Sequence, residues 1–194
     1  MTVTDAVQRR RAIKWFDPSH RLSDAEFATL MEHALLSPTA FNIQNWRFVR
    51  VTDGAQRKAI RAVAWDQAQV EEASELLVLC FDQDSWKEEP ERYWRNAPQE
   101  VSDLLVGWMG PFHEGREWLQ RDEAQRSIGM AMQTLMLAAK AMGYDSCPMI
   151  GFDIEKVADV FVAEFADRFA LAEGLLDDPT LAEAEALAPG HASP

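Results

Sequence analysis

The spacing of apolar and polar residues predicts a chain built mainly of helices, with a few short strands between them. Ser23 and Glu26 have the spacing of a capping box, which marks the start of a helix. Apolar residues then recur at helical intervals, and Pro38 is expected to end the helix. The apolar face of this predicted helix comprises Phe27, Leu30, Met31, Ala34 and Leu35.

Similar start and stop signals predict further helices. Thr2 and Asp5 form another capping pattern, ahead of a short helix that should reach about Arg11. The turn at Asp53–Gly54 predicts a helix to about Trp65.

The longest predicted helix lies in the second half of the chain. Asp122 is its expected N-cap, and the helix should reach about Met142, where Gly143 is a natural stop. Asp153 is the expected N-cap of a following helix. The apolar face predicted for the long helix comprises Ile128, Ala131, Leu135, Ala139 and Met142.

The predicted strands are short. Residues 46–51 alternate between apolar and polar, which is typical of a half-buried strand. Residues 76–81 are apolar throughout and bounded by charge, which predicts a strand buried on both faces. Residues 146–150 predict a short strand or extended segment.

The region 82–122 predicts short helices and a mobile cap over a site. The alternative is a helical excursion whose aromatic residues pack on the core. We interpret residues 1–165 as one domain and residues 166–194, rich in Ala and Pro and acidic, as a tail.

Charge is unevenly distributed along the chain. The net charge is −13, yet residues 1–21 hold five cationic residues against two acidic ones, a net charge of +3. A small cationic island on an acidic body suits a small anion such as a cofactor phosphate. Nucleic acid would require a broad basic face, so we expect no nucleic-acid partner.

The composition of the chain indicates its cellular compartment and limits the kinds of site it can contain. Two Cys, Cys80 and Cys147, do not make a disulfide framework, which indicates a reducing, cytoplasmic compartment. The longest apolar run is too short for a membrane span, and no signal-peptide pattern is visible. The four His lie far apart without ligand spacing, so no metal site is predicted. No nucleophile with a matching base is evident, and no catalytic side chain is predicted.

The remaining features are suited to binding. Arg10, Arg11 and Lys14 can surround one phosphate, because guanidinium and ammonium groups are strong donors. The alternative is a solvated basic end of a helix. Residues 37–44 form a proline-stopped turn whose side-chain amides can meet the polar rim of a heterocycle. The alternative there is an ordinary helix end followed by a turn.

Two further segments have the same ambiguity. Asp66, Gln67 and Gln69 place polar groups at a helix end, where plain surface exposure is the alternative. Residues 147–151 are apolar and stiffened by proline. They can lie flat against a ring, or they can form an ordinary turn between a strand and a helix.

Together and in this order, these segments resemble the nitroreductase family of FMN-dependent oxidoreductases. The matching motifs span about residues 5–160: RRRAIKWFD at Arg9–Asp17, SPTAFNIQNWRFV at Ser37–Val49, WDQAQVEEAS at Trp65–Ser74 and GYDSCPMIGFD at Gly143–Asp153. The resemblance implies an α+β fold, a three-layer α/β/α sandwich with a central, mainly antiparallel sheet. It also implies a homodimer with FMN at the interface.

The resemblance further implies roles for individual residues. Arg10, Arg11 and Lys14 would hold the phosphate and the polar edge of the ring. Pro38, Thr39, Ala40 and Asn42 would come from the partner subunit. Asp66 and Gln69 would approach the pyrimidine side. Pro148, Met149, Ile150 and Gly151 would cover one ring face.

The implied activity is hydride transfer from NADH or NADPH to a quinone or nitroaromatic acceptor by a ping-pong mechanism. The chain departs from the family in having Ala12 where Ser is frequent, and in an acidic end without the late Lys or Arg that grips the phosphate. That departure favours one alternative, a catalytically degenerate dimeric flavin-binding or stress-associated protein. A plain acidic interaction module is the other.

Overall fold

The structure is a computed structural model that describes residues 1–161. The predicted acidic tail at 166–194 and the last residues of the predicted domain lie outside this range. Residues 154–161 are helical and are called the 154–161 helix below. Its other helices and strands are α1 (Val3–Arg9), α2 (Asp24–Leu35), β1 (Trp46–Arg50), α3 (Gly54–Val63), α4 (Gln69–Glu72), β2 (Leu77–Phe81), α5 (Gln99–His113) and α6 (Glu117–Ala141), with 3₁₀ turns at Ala40–Asn42, Ser85–Lys87 and Pro90–Trp94.

Both predicted capping boxes are confirmed. Thr2 Oγ1 accepts from the Asp5 amide at 3.1 Å, and the Asp5 carboxylate accepts from the Thr2 amide at 3.1 Å. Ser23 and Glu26 make the same reciprocal pair at the start of α2. Helix α1 ends at Arg9, earlier than predicted, because Arg10 leaves the helical conformation with ψ at 126°.

The predicted start of the longest helix is wrong. Helix α6 begins at Glu117, and Asp122 lies inside it, beside Arg121. The earlier start is held by packing instead of a side-chain cap: Leu119 is buried, and Gln120 Nε2 donates to the His113 carbonyl at 2.8 Å. Gly143 is confirmed as the stop, with φ at +95°.

The apolar face predicted for α6 is only partly correct. Ala131 and Ala139 are buried, but Ile128, Leu135 and Met142 are only partly buried. The buried face also includes small and polar residues, which hydrophobic spacing does not reveal. Its members are Leu119, Gln120, Ala124, Ser127, Ala131, Met136 and Ala139.

Strands β1 and β2 pair antiparallel, and within residues 1–161 they form a two-stranded sheet. Val49 and Val78 are directly opposite each other and pack on an apolar cluster supplied by α3 and the 154–161 helix. Helix α6 contacts both strands as well. Helices therefore cover the sheet on two sides, which confirms the α+β class.

One prediction about the sheet is wrong. Every residue of β2 is half-buried, whereas a strand buried on both faces was expected. Among the described residues β2 has β1 as its one neighbour, so its other edge is not covered by a strand.

Region 82–122 contains two 3₁₀ turns and the 15-residue helix α5. Inside the region Trp86 stacks on His113 with centroids 5.4 Å apart, and Phe112 contacts Phe41 of the turn at 37–44. Whether the region is a mobile cap over a site or a helical excursion packed on the core stays a prediction.

Candidate functional site

A single main-chain bridge brings two of the predicted binding segments together. Ala12 and Ser146 pair in parallel, and the Ile13 amide donates to the Ser146 carbonyl at 3.1 Å. Of the short strand or extended segment predicted at 146–150, Ser146 pairs in this bridge. The bridge places the cationic segment beside residues 147–151, although more than 130 residues separate them in the chain.

The three predicted phosphate-binding cations differ in their contacts. Arg11 donates to the carbonyls of Gln8 and Arg10, both at 2.8 Å, and so closes the end of α1. Arg10 is half-buried, and Lys14 is exposed. Within residues 1–161 no carboxylate lies at salt-bridge distance from Arg10, Arg11 or Lys14. Their positive charge is therefore available to an anion.

A pair of glutamines joins a third segment to the same place. Gln67 Nε2 donates to the Gly151 carbonyl at 3.0 Å, and Gln69 Nε2 donates to Gln67 Oε1 at 2.9 Å. Gln69 is buried and lies 3.8 Å from Met149 Sδ. Gln67 was named with Asp66 and Gln69 as a polar group at a helix end but was given no binding role, because its contact with Gly151 spans 84 positions of sequence.

Asp66 lies at the exposed edge of this cluster. Its carboxylate accepts from Arg61 Nε at 2.7 Å. This contact positions Asp66 at the end of α3, and its predicted approach to a ring stays a prediction.

Residues 148–151 present an exposed apolar edge with a buried anchor. Pro148 is exposed and Ile150 is 87% exposed, whereas Met149 packs on the core cluster. The segment is thus held from below while its outer side remains open to a flat ligand or to another chain.

The remaining predicted segment, the turn at 37–44, lies elsewhere on the chain. Ser37 Oγ donates to Thr134 Oγ1 on α6 at 2.9 Å, and Asn42 Nδ2 donates to the Tyr93 carbonyl at 3.0 Å. Pro38 and Asn42 are exposed, and Thr39 and Ala40 are half-buried. Across residues 1–161 no hydrogen bond joins this turn to the cluster around the bridge, so one chain does not bring the two together.

Backbone strain occurs in the turn at 37–44 and in residues 65–66, which belong to the cluster around the bridge. In the described part of the chain, five of the six non-glycine residues with positive φ lie in them: Phe41, Asn42, Gln44, Trp65 and Asp66. Such residues persist where surrounding structure imposes the conformation, and they cluster at functional sites. These conformations could not be predicted from the sequence, because no glycine occupies these positions.

His113, outside the cluster, is buried and bonded to the main chain. Burial lowers the pKa of His113, whose Nδ1 bonds to the Met109 carbonyl at 2.8 Å.

Among residues 1–161 no group of three His, Cys, Asp or Glu has the arrangement of a metal site. No helix of this range combines the length and apolar character that a membrane crossing needs.

Comparison with known proteins agrees with this geometry. The sequence profile of the nitroreductase family matches residues 7–171. The protein DrgA of Synechocystis is 56% identical over 160 residues, covering 82% of this chain and 76% of DrgA. A candidate NAD(P)H nitroreductase of Staphylococcus epidermidis is 30% identical over 175 residues, covering 84% and 79%.

A solved structure extends the match to the fold. A candidate nitroreductase of Exiguobacterium sibiricum, solved in complex with FMN, superimposes with a TM-score of 0.77 at 27% identity. The match covers 83% of this chain and 80% of that one. The predicted fold is confirmed.

Proposed function

The chain belongs to the nitroreductase family, and on that premise we propose that it is an FMN-dependent oxidoreductase that uses NADH or NADPH. Family membership gives the coarser statement, an oxidoreductase. The finer one is supported by the FMN complex of the Exiguobacterium relative and by the NAD(P)H description of the staphylococcal one.

The observation that carries the proposal is the Ala12–Ser146 bridge. It places cations without carboxylate partners beside an exposed, proline-stiffened segment, which is the chemistry that a phosphorylated flat ring requires. Arg10 and Lys14 would bind the anionic end. Pro148, Met149, Ile150 and Gly151 would cover the ring, with Asp66 and Gln69 on the polar side.

Arg11 has a different part in this proposal. Its guanidinium is engaged with the end of α1, so it contributes charge at the site and holds the main chain between Arg10 and Ala12 in place.

We assign the turn containing Pro38, Thr39, Ala40 and Asn42 to the site of a second subunit. Its strained backbone resembles that of the first cluster, yet its hydrogen bonds run to α6 and to Tyr93. A homodimer with FMN at the interface gives this turn a ligand. Trp15 and Leu36, 84% and 78% exposed, are apolar residues that such an interface would cover.

When bound, FMN supplies the redox chemistry, accepting hydride from NADH or NADPH and passing it to a quinone or nitroaromatic acceptor in a ping-pong cycle. The chain's own residues bind FMN, orient it and exclude water from it. In residues 1–161 the cluster has no buried carboxylic acid or histidine to serve as an acid, so water is the proposed proton source.

FMN titration tests the proposal directly. Replacing both Arg10 and Lys14 by Ala should raise the FMN dissociation constant at least tenfold, about 1.4 kcal/mol. Arg9→Ala removes one positive charge from an exposed position on α1 and is the control, with a change of less than about threefold. Equal affinity in all variants would contradict the assignment of these cations.

The spectrum of the purified protein separates the rival functions. A flavin spectrum that bleaches with NADH or NADPH and recovers with a quinone supports the enzyme. A flavin that neither donor reduces supports the catalytically degenerate flavin-binding protein. A colourless monomer that ignores added FMN would leave only the acidic interaction module.

The cellular setting is part of the proposal. Cys80 and Cys147 are both free thiols in the structure, which is consistent with a reducing, cytoplasmic compartment. Fractionation of cells that express the tagged protein would test this.

A further inference from the structure

The Ser146 hydroxyl is an unused hydrogen-bonding group at the bridge. Its oxygen is shut off from solvent, and in the described part of the chain it has no hydrogen-bond partner. Buried polar groups are nearly always paired, and leaving one unpaired destabilises the fold. An unpaired hydroxyl at a predicted binding site therefore needs an explanation.

The register of the bridge shows which groups surround this hydroxyl. Partner residues in a parallel bridge have their side chains on the same side, so Ser146 lies beside the methyl group of Ala12. Side chains of an extended segment alternate, and by this rule Arg10 and Lys14 are expected on the same side as Ala12. The hydroxyl is therefore expected on the face that bears both free cations.

We infer that Ser146 is a further binding residue, whose hydroxyl donates to an acceptor atom of FMN between Arg10 and Lys14. The inference rests on the proposed function. The side chain of Ala12 has no polar atom, and Ser146, its partner in the bridge, can supply one instead.

Ser146→Ala is expected to keep or raise the stability of the unliganded protein while it lowers the affinity for FMN. The unliganded variant should unfold at the same temperature as the parent or a higher one, because the removed hydroxyl has no partner. Its FMN dissociation constant should rise about fivefold to twentyfold, the range for one lost hydrogen bond to a charged or strongly polar acceptor. A purely structural serine would instead lower the unfolding temperature.

The register predicts a rescue that no general effect on folding would produce. Adding Ala12→Ser to Ser146→Ala puts the hydroxyl back on the same face from the other side of the bridge. This double variant should bind FMN within about twofold of the parent. Ser102→Ala, which removes a buried serine from α5, is the matched control and should leave FMN affinity unchanged.

Riboflavin titrations identify the acceptor. A loss confined to FMN supports contact with the phosphate, and an equal loss for riboflavin supports contact with the ring or ribityl chain. Unchanged FMN affinity in Ser146→Ala, alongside weaker binding when Arg10 and Lys14 are replaced, overturns this inference and leaves the proposed function standing. A parent protein that binds no FMN overturns both.

Discussion

The backbone of Gly151 lies directly against the indole ring of Trp65. A Cβ atom at position 151 would be 2.7 Å from Trp65 Cζ3 and 2.8 Å from Cε3, closer than nonbonded carbon atoms approach. Trp65 is 78% exposed and is held in the left-handed region, with φ at 54°. Close approach thus explains the glycine, whose own backbone conformation is not unusual.

Gly151→Ala should destabilise the fold by about 1–3 kcal/mol, because the new methyl group displaces the indole or the loop. Urea unfolding measures this loss. In the Trp65→Ala background the same substitution should cost less than about 0.5 kcal/mol, since the obstructing ring is gone. Gly107→Ala on α5, where no atom lies within 4 Å of the added carbon, is the matched control and should stabilise by about 0.5–1 kcal/mol. Equal losses at position 151 with and without Trp65 would contradict the contact.

Arg57 holds three backbone carbonyls with one buried guanidinium. It donates to Val51 at 2.8 Å, to Ala73 at 2.5 Å and to Ser74 at 2.9 Å. These bonds tie α3 to the residue that follows β1 and to the residues that precede β2. Burial lowers the pKa of Arg57, but an arginine remains protonated at physiological pH.

Arg57→Met should lower the free energy of unfolding by about 3–5 kcal/mol, because it leaves three carbonyls without their donor. Denaturant titration at pH 7 measures the change. Arg61→Met, on the same helix, removes ion pairs with Asp66 and Glu71 near the surface and should cost less than about 1 kcal/mol. Similar losses in the two variants would show that Arg57 acts only as a surface charge.

How far the sequence predicts this structure depends on how local each signal is. The capping boxes at Thr2 and Ser23 and the stop at Gly143 were predicted correctly, because neighbouring residues contain all the necessary chemistry. The start of α6 was not, since packing of Leu119 and Gln120 overrides the cap signal at Asp122.

The candidate site likewise has features that local motifs predict and features that arise only from packing. Motifs in sequence order grouped Arg10 and Lys14 with Gly151, and the bridge at Ser146 places their segments side by side. The contact of Gln67 with Gly151 and the strain at Trp65 could not be predicted, because both arise only when distant segments pack. The residues that would meet across a dimer interface remain predictions for the same reason.

A hydrogen bond links the start of α2 to the end of α6 and responds to pH. Tyr144 donates to Glu26 Oε1 at 2.6 Å, and this bond, followed by that from Ser23, lowers the Glu26 pKa from 4.5 to about 2. A lowered pKa in the folded state stabilises the fold above pH 4.5. That contribution is lost as the pH falls from 4.5 towards 2.

Tyr144→Phe should therefore have a lower urea midpoint than the parent at pH 7, and the difference should shrink below pH 4.5. Tyr93→Phe is the matched control, because Tyr93 donates to the Ser85 carbonyl, a group that does not titrate. Its deficit should persist at low pH. A Tyr144→Phe deficit that stays constant between pH 7 and pH 3 would show that the hydrogen bond from Tyr144 does not lower the Glu26 pKa.

The two free thiols provide a chemical probe of the proposed site. Cys147 lies in the segment next to the bridge, and its Sγ is 4.0 Å from Gln69 Nε2. Cys80 lies on β2, where burial raises the pKa of its thiol, so its reactive thiolate is scarce near neutral pH. Ligand binding beside residues 147–151 should therefore change the accessibility of one cysteine and leave the other as it was.

Saturating FMN should slow the alkylation of Cys147 by iodoacetamide about fivefold or more, whereas the rate at Cys80 should change less than about twofold. Peptide mass spectrometry after timed quenching gives both rates in one sample. The variant lacking Arg10 and Lys14 is the control, and the same FMN concentration should protect it less than the parent, because its dissociation constant is at least tenfold higher. Equal slowing at both cysteines would indicate a general tightening of the fold, and no slowing at Cys147 would place the bound flavin away from this segment.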